Sequence, residues 1–104
     1  PKDEHAMPKG YWVVTANISD PEGFTPYRET AGAIIANHGG HAIIRGDVTE
    51  LVEGQSHGRS FIVEFPSYQA AKDCYASPEY QAAIELRKDA ARFDLVIAEG
   101  LDSA

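Results

Sequence analysis

The chain has 104 residues, of which 43% are hydrophobic and 24% charged, a composition typical of one globular domain rather than of a disordered segment. Nine basic residues against sixteen acidic ones give a net charge of −7, so the chain lacks the excess of lysine and arginine that binds nucleic acid or an anionic membrane. The single cysteine, Cys74, excludes an internal disulfide, and no apolar run approaches the roughly 18 residues of a membrane span. We expect a cytoplasmic protein that binds neither nucleic acid nor membrane.

The two ends of the chain are predicted to lie outside the folded domain. Residues 1–9 lack hydrophobic periodicity and are expected to form a flexible N-terminal tail, with Met7 as the natural start. The domain is predicted to span residues 10–101, and residues 102–104 to form a C-terminal tail.

The first predicted elements are a strand and a helix. A strand over residues 10–18 (GYWVVTANI) is indicated by its β-branched and aromatic residues. Asp20 and Pro21 then supply an N-cap and a first helical residue, and Gly39-Gly40 ends the helix. One face of this helix is predicted from spacings of three and four to contain Phe24, Tyr27, Ala31, Ile35 and His38.

A hairpin is predicted next. Residues 41–46 (HAIIRG) indicate a second strand, which is open to prolongation through residues 48–53, and residues 59–66 (RSFIVEFP) indicate a third. A tight turn centred on Gly54-Gln55 would place Arg45 directly opposite Glu64. A bulge at Gly46-Asp47 would shift that register.

The stretch VEFPSYQAAKDCYASPEYQAA reads as one helix with a break at its centre. Ser67 caps a first segment, residues 68–76, and proline disfavours helical conformation in the residue before it, Ser77. Ser77 then caps a second segment, predicted over residues 79–91, with Pro78 as its first residue. A fourth strand follows over residues 93–99 (FDLVIAE).

The order of strand, helix, strand, strand, helix and strand predicts an α+β fold. It is the ferredoxin-like βαββαβ sandwich, in which both helical layers cover one face of a four-stranded antiparallel sheet. Period-two alternation leaves a mixed opposite face, whose apolar members are Tyr11, Val13, Ile43, Ile62 and Val96. A patch of this size is normally covered, so we expect a homodimer in which a second copy covers it.

Six segments carry a resemblance over nearly all of residues 9–100, namely KGYWVV, DPEGFTPYRE, HGGHAIIRG, LVEG, EFPSYQAAKDCYASPEYQAA and FDLVIAEG. The sequence resembles a small uncharacterised family, a domain of unknown function, of the dimeric α+β barrel superfamily. The resemblance implies that two sheets face each other around a lumen. Members of that superfamily include cofactor-independent monooxygenases, muconolactone isomerases, haem-dependent chlorite dismutases and stress-responsive proteins, so it implies an assembly but no single reaction.

The candidate site is a polar floor on the lumen face of the sheet. Glu64, Arg45 and Asp94 are the candidate catalytic residues, with a carboxylate as base and the arginine holding an anion. The full set of candidate ligand-binding residues adds four others and comprises Tyr11, Thr15, Asn17, His41, Arg45, Glu64 and Asp94. The same residues are also open to interpretation as an ion-pair network that satisfies charges buried by dimerisation.

Other groups have weaker functional interpretations. Trp12, Tyr27, Tyr75 and Tyr80 are core residues by their spacing, or they line a ligand cleft between helices and sheet. Arg87 and Lys88 either bind an anionic substrate or form a solvated face. His38 and His41 lack the spacing of metal ligands, so no metal or other cofactor is expected. Three functions stay open: binding of a small organic acid or aromatic ligand in the lumen, cofactor-independent acid–base catalysis, and a structural dimer without a ligand.

Overall fold

The computed structural model describes residues 8–55 and 58–101. Apart from Pro8 and Lys9, the two predicted tails lie outside these described residues. Within them the chain forms an α+β structure whose elements are β1 (Gly10–Ile18), α1 (Pro21–Asn37), β2 (His41–Ile44), β3 (Arg59–Phe65), α2 (Tyr68–Ala76), α3 (Pro78–Ile84) and β4 (Ala91–Glu99).

The four strands form one antiparallel sheet in the order β2-β3-β1-β4. The two central strands, β3 and β1, are not consecutive in the chain, and each is joined to an edge strand by hydrogen bonds. This is the order of the predicted ferredoxin-like sandwich, and the predicted α+β fold is confirmed.

The core lies between the helices and one face of the sheet. Along β1 the buried residues alternate with more exposed ones, so that Trp12, Val14 and Ala16 point towards the helices. On β3, Val63 and Phe65 point the same way. The opposite face, here called the outer face, presents residues such as Val13 and Val96, which are 41% and 60% exposed. The predicted assignment of the two faces of β1, β3 and β4 therefore agrees with the structure.

Helix α1 begins and ends where its caps predict. The Asp20 side chain accepts a hydrogen bond from the Gly23 amide at 3.1 Å, and Gly39, with φ of +80°, turns the chain out of the helix. The buried face differs by one position from the prediction, because Ile34 is buried while Ile35 is partly exposed. Ile35 lines an open cleft beside the helix instead.

Strand β2 is shorter than predicted. It ends at Ile44, and the described residues 45–55 contain no strand, so the prolongation that the sequence left open does not occur and the tight hairpin is wrong. A bulge lies between Ala42 and Ile44, after which Gly46, with φ of +78°, turns the chain away from the sheet. The longer connection removes the constraint that a two-residue turn would have placed on the register.

The break at Ser77-Pro78 is confirmed as a helix stop and restart. Ser77 adopts an extended conformation, its hydroxyl donates to the Cys74 carbonyl at 2.7 Å, and the same oxygen accepts from the Tyr80 amide at 3.2 Å. One side chain therefore closes α2 and opens α3. Helix α3 ends at Ile84, before the predicted end at residue 91, because its last turn tightens into three-residue hydrogen bonds such as that from the Leu86 amide to the Ala83 carbonyl.

None of the helices formed by the described residues combines the length and the apolar character that crossing a bilayer requires.

The double role of Ser77 leads to a stability prediction. Ser77→Ala should lower the free energy of unfolding by about 1 kcal/mol, because the first turn of α3 loses its cap. Pro78→Ala is the matched control and should have a smaller effect, since the proline occupies a first-turn position where no amide hydrogen bond is needed. Urea unfolding followed by circular dichroism measures both, and a larger loss for Pro78→Ala than for Ser77→Ala would contradict the capping role.

Candidate functional site

Three of the predicted site residues contact one another in a chain on the outer face. Glu64 lies opposite Tyr11 on one side and opposite His41 on the other. The Tyr11 hydroxyl donates to Glu64 Oε2 at 3.0 Å, and His41 Nε2 lies 3.3 Å from Glu64 Oε1. The hydrogen bond to Glu64, partial burial and the negative charge of this carboxylate together raise the pKa of Tyr11.

The other polar residues of the outer face lie in a second group. Thr15 is paired with Asp94, and Asn17 with Arg92. Thr15 is four residues from Tyr11 along β1, which at about 3.3 Å per residue puts the two groups about 13 Å apart. The face between them is apolar, so the predicted polar floor is divided into two parts.

The apolar band between the two groups is here called the outer apolar row. It crosses all four strands in register and consists of Ile44, Ile62, Val13 and Val96. Ile44 takes the place that the sequence assigned to Ile43, because the bulge in β2 shifts the pairing by one residue.

The predicted pairing of Arg45 with Glu64 is wrong. Since Ile44 pairs with Ile62 after the bulge, the next residue, Arg45, turns to the helix side of the sheet. It lines a cleft there, and within residues 8–55 and 58–101 it forms no ion pair. His41 is the residue that faces Glu64.

The cleft lies between α1 and the helix-facing side of the sheet, and its volume is about 540 Å³. Its apolar surface comes from both layers and includes Trp12, Val14, Phe24, Tyr27, Phe61, Val63 and Phe93. Gly32 lies on the helical wall, and nothing lies within 4 Å of the position that a β-carbon would take there. The missing side chain therefore leaves this part of the cleft open.

Charged side chains of the cleft are mostly cationic. Arg28, Arg45 and Arg59 all line it. Arg59 donates to Asp47 at 3.0 Å, whereas Arg28 lies over the Phe24 ring at 5.9 Å. One carboxylate therefore faces three guanidinium groups, and the cleft has an excess of positive charge within an acidic chain.

The aromatic pattern of the sequence partly predicted this cleft. Trp12 and Tyr27 line it as one of the two interpretations proposed, whereas Tyr75 and Tyr80 do not. The three cleft arginines were not predicted together, because Arg45 was assigned to the other face and no pattern linked it to Arg28 or Arg59. Their shared location in the cleft becomes apparent only once the bulge in β2 is known.

Two further groups have no direct part in the cleft. Cys74 is fully buried, and burial raises the pKa of its thiol to about 11, which makes it unreactive at neutral pH. Among the described residues, no group of three or more histidine, cysteine, aspartate or glutamate side chains is arranged to hold a metal ion.

The order of its elements and strands places the chain among small α+β proteins of ferredoxin-like fold. Residues 9–101 match the family described as a domain of unknown function, DUF1330, and the chain belongs to that family. The family resemblance expected from the sequence motifs is thereby confirmed. A comparison with curated proteins finds no match.

Solved structures support the fold over almost the whole chain. The RPA0582 protein of unknown function from Rhodopseudomonas palustris is 18% identical, with a TM-score of 0.73 over 90% of this chain and 83% of its own. SnoaB, a cofactor-independent oxygenase from Streptomyces nogalater, is 13% identical, with a TM-score of 0.57 over 88% of this chain and 91% of its own. A dimeric protein of unknown function and ferredoxin-like fold from Bacteroides fragilis is 14% identical, with a TM-score of 0.51 over 88% and 95%. Similarity at this level establishes the architecture, not the activity.

The contact between Tyr11 and Glu64 leads to a titration prediction. Glu64→Gln should lower the pKa of Tyr11 towards its ordinary value of about 10, because the negative charge next to the hydroxyl is removed. The tyrosine ring-carbon shift, followed by NMR from neutral to alkaline pH, measures this change.

In the wild type, the stabilisation from this contact is present below the pKa of an unfolded tyrosine and is lost as the pH rises through the raised folded value. Asp94→Asn is the control, since Asp94 is on the same face but pairs with Thr15. A Tyr11 pKa that does not respond to Glu64→Gln would show that the hydrogen bond is absent in solution.

Proposed function

We propose that this protein binds a small organic acid with an aromatic or similarly planar body in the cleft between α1 and the sheet. The observation that carries this proposal is the combination of an aromatic-walled cleft of about 540 Å³ with three arginines and one aspartate. Ligand sites of proteins are typically of this size and are largely apolar with a few placed polar groups.

The charge distribution supports an anionic ligand. The chain as a whole carries −7 and repels anions, yet three of its five arginines line this one cleft. Among the described residues, Arg59 forms an ion pair with Asp47, whereas Arg28 and Arg45 form none. A local excess of positive charge on an acidic protein favours entry of anions at this point over the rest of the surface.

The apolar surface supports a planar body. Phe61 and Phe93 are partly exposed and contribute aromatic surface on the sheet side, while the more deeply buried Phe24 and Tyr27 line the cleft from α1. Rings from both layers contact one another, such as Phe24 and Phe93 with centroids 6.0 Å apart. A planar ligand that packs among such rings gains both apolar burial and favourable ring contacts.

The open position at Gly32 allows a steric test. Gly32→Phe should fill the cleft and abolish the quenching of Trp12 fluorescence by benzoate, because Trp12 is the only tryptophan and lines the cleft. Gly32→Ala is the matched control, which should keep binding and raise stability by about 0.5–1 kcal/mol, as alanine favours the helix interior. Binding that persists unchanged in Gly32→Phe would place the ligand elsewhere.

We also propose that the protein is a homodimer formed through the outer face. The outer apolar row crosses all four strands, and Val13, Ile44 and Val96 are 41%, 42% and 60% exposed in the single chain. Contiguous apolar surface of this kind is usually covered by another chain, and a twofold pair is the commonest arrangement. The Bacteroides fragilis protein of similar fold is itself dimeric.

The protein described here has a single cysteine, Cys74, which is a buried free thiol and fits a reducing compartment. We therefore propose that it is located in the cytoplasm.

The outer apolar row makes dimerisation testable. Sedimentation of the wild type at micromolar concentration should give about twice 11.3 kDa, and Val13→Asp should give the monomer, because an unpaired charge cannot be buried at the interface without large cost. Leu86→Asp is the matched control, since Leu86 is 44% exposed but follows α3, away from the outer face. A wild-type monomer, or equal dissociation by both variants, would contradict this interface.

A second candidate function is acid–base catalysis at the outer face. The observation that favours it is the chain from Tyr11 through Glu64 to His41, in which three titratable groups are joined by contacts of 3.0 and 3.3 Å. In a dimer these groups would be removed from bulk water, which is the environment that tunes acids and bases. Thr15, Asn17 and Asp94 would then contact a ligand from the second polar group of the same face.

A further inference from the structure

Arg87 is a buried cation with no counter-ion among the described residues. It is only 8% exposed, and it forms no ion pair with any residue that the structure describes. Its Nε atom is buried and has no hydrogen-bond acceptor among those residues, and its Nη2 atom makes one long contact of 3.5 Å with the Tyr80 hydroxyl. A charge kept in this position is costly unless something else compensates it.

Aromatic rings compensate part of this cost. The guanidinium carbon lies 3.9 Å from the centroid of the Phe93 ring and 5.1 Å from that of Tyr27. Contacts of this kind favour the cation but supply no acceptor for its N–H groups. Phe93 and Tyr27 also line the cleft, whereas Arg87 and Tyr80 do not, so the guanidinium lies next to the cleft but behind these two rings.

The hydroxyl groups beside Arg87 add further donors. The Tyr27 and Tyr80 oxygens are 2.6 Å apart and share one hydrogen bond, so one of the two O–H groups has no acceptor among the described residues. Burial and the neighbouring Tyr80 raise the pKa of Tyr27 far above its ordinary value, so this hydroxyl does not supply a negative charge. Arg87, Tyr27 and Tyr80, here called the donor pocket, therefore offer several donors and no anion.

We propose that the donor pocket receives the carboxylate of a planar monocarboxylic acid whose body occupies the cleft. This inference rests on the proposed function and assigns the acidic end of the ligand to Arg87 rather than to the other arginines. An anion in this position would accept hydrogen bonds from the guanidinium and from a tyrosine hydroxyl. Tyr27 links the two parts, since it both lines the cleft and belongs to the donor pocket.

The exposure of the other arginines explains this assignment. Arg45 is exposed, and the side chain of Arg59 is 47% exposed and already contacts Asp47. Charges in contact with water are screened, so they attract anions but contribute little to the affinity of one bound pose. Arg87 is already removed from water, so a carboxylate that reaches it forms a stronger interaction.

The assignment is tested by comparing benzoate with benzamide, its uncharged analogue, through quenching of Trp12 fluorescence. The wild type should prefer benzoate by about tenfold or more, the effect expected for a charge-assisted hydrogen bond. Arg87→Met should lose this preference and retain benzamide binding. Lys88→Met is the matched control and should keep the preference, because Lys88 is an exposed neighbouring cation paired with Glu85.

A second variant covers the case in which Arg87→Met does not fold. Tyr80→Phe keeps the buried ring and removes only a hydroxyl, and it should reduce the preference for benzoate without abolishing it. An unchanged preference in a folded Arg87→Met, or in Tyr80→Phe where Arg87→Met does not fold, overturns the inference. Its loss in Arg45→Met with retention in Arg87→Met would overturn it in favour of the outer arginine.

A separate measurement distinguishes this inference from the proposed function. Formate presents a carboxylate without an aromatic body, and at constant ionic strength it should raise the melting temperature of the wild type but not of Arg87→Met. If benzoate fails to bind while formate stabilises in this Arg87-dependent way, the donor pocket stands and the proposed ligand class is wrong. If benzoate binds in the cleft and formate has the same effect on both proteins, the proposed function stands and the donor pocket is wrong.

Discussion

The indole of Trp12 holds the two layers of the protein together. Its Nε1 atom donates to the Ala71 carbonyl of α2 at 2.9 Å, and the side chain, 1% exposed on β1, packs on Phe65, Tyr75 and Tyr80. A buried indole N–H needs an acceptor, and the carbonyl of a helix supplies one only at a particular position of that helix on the sheet. This contact therefore determines the position of α2 on the sheet. The break at Ser77 then sets the direction in which α3 continues. Because Trp12 also lines the cleft, the same residue connects the core to the proposed site.

Most of the fold is predictable because its signals are local. Alternation along β1, β3 and β4 assigns their faces, and the caps at Asp20 and Ser77 determine where helices begin. The errors occur where the chain departs from a regular period. The extra residue in β2 has no separate sequence signal, yet it reverses the face of every residue that follows it, including Arg45. The early end of α3 likewise depends on a tightened turn that helix propensity does not indicate.

The site was less predictable because it depends on how deeply its side chains are buried and on contacts between elements that are distant in the sequence. Tyr11, Glu64 and His41 were assigned to one face by alternation, and the register brings them into contact. Burial of Arg87 requires Tyr27 from α1, Tyr80 from α3 and Phe93 from β4 to meet around it, which no single stretch of sequence shows. A charged residue near a helix end is usually solvated, so sequence patterns favour the wrong environment for this arginine.

The connection between β2 and β3 affects how proteins of this architecture diversify. Arg45 and Asp47 leave β2 and Arg59 begins β3, and all three line the cleft. Of the residues that the structure describes between Ile44 and Arg59, none takes part in a ladder pair of the sheet. Insertions or exchanges in this segment would therefore alter the width and charge of the cleft while the register and the core are preserved. Selection can act on ligand choice almost independently of foldability in such a scaffold, and shared ancestry would then be a good guide to shape and a poor guide to what is bound.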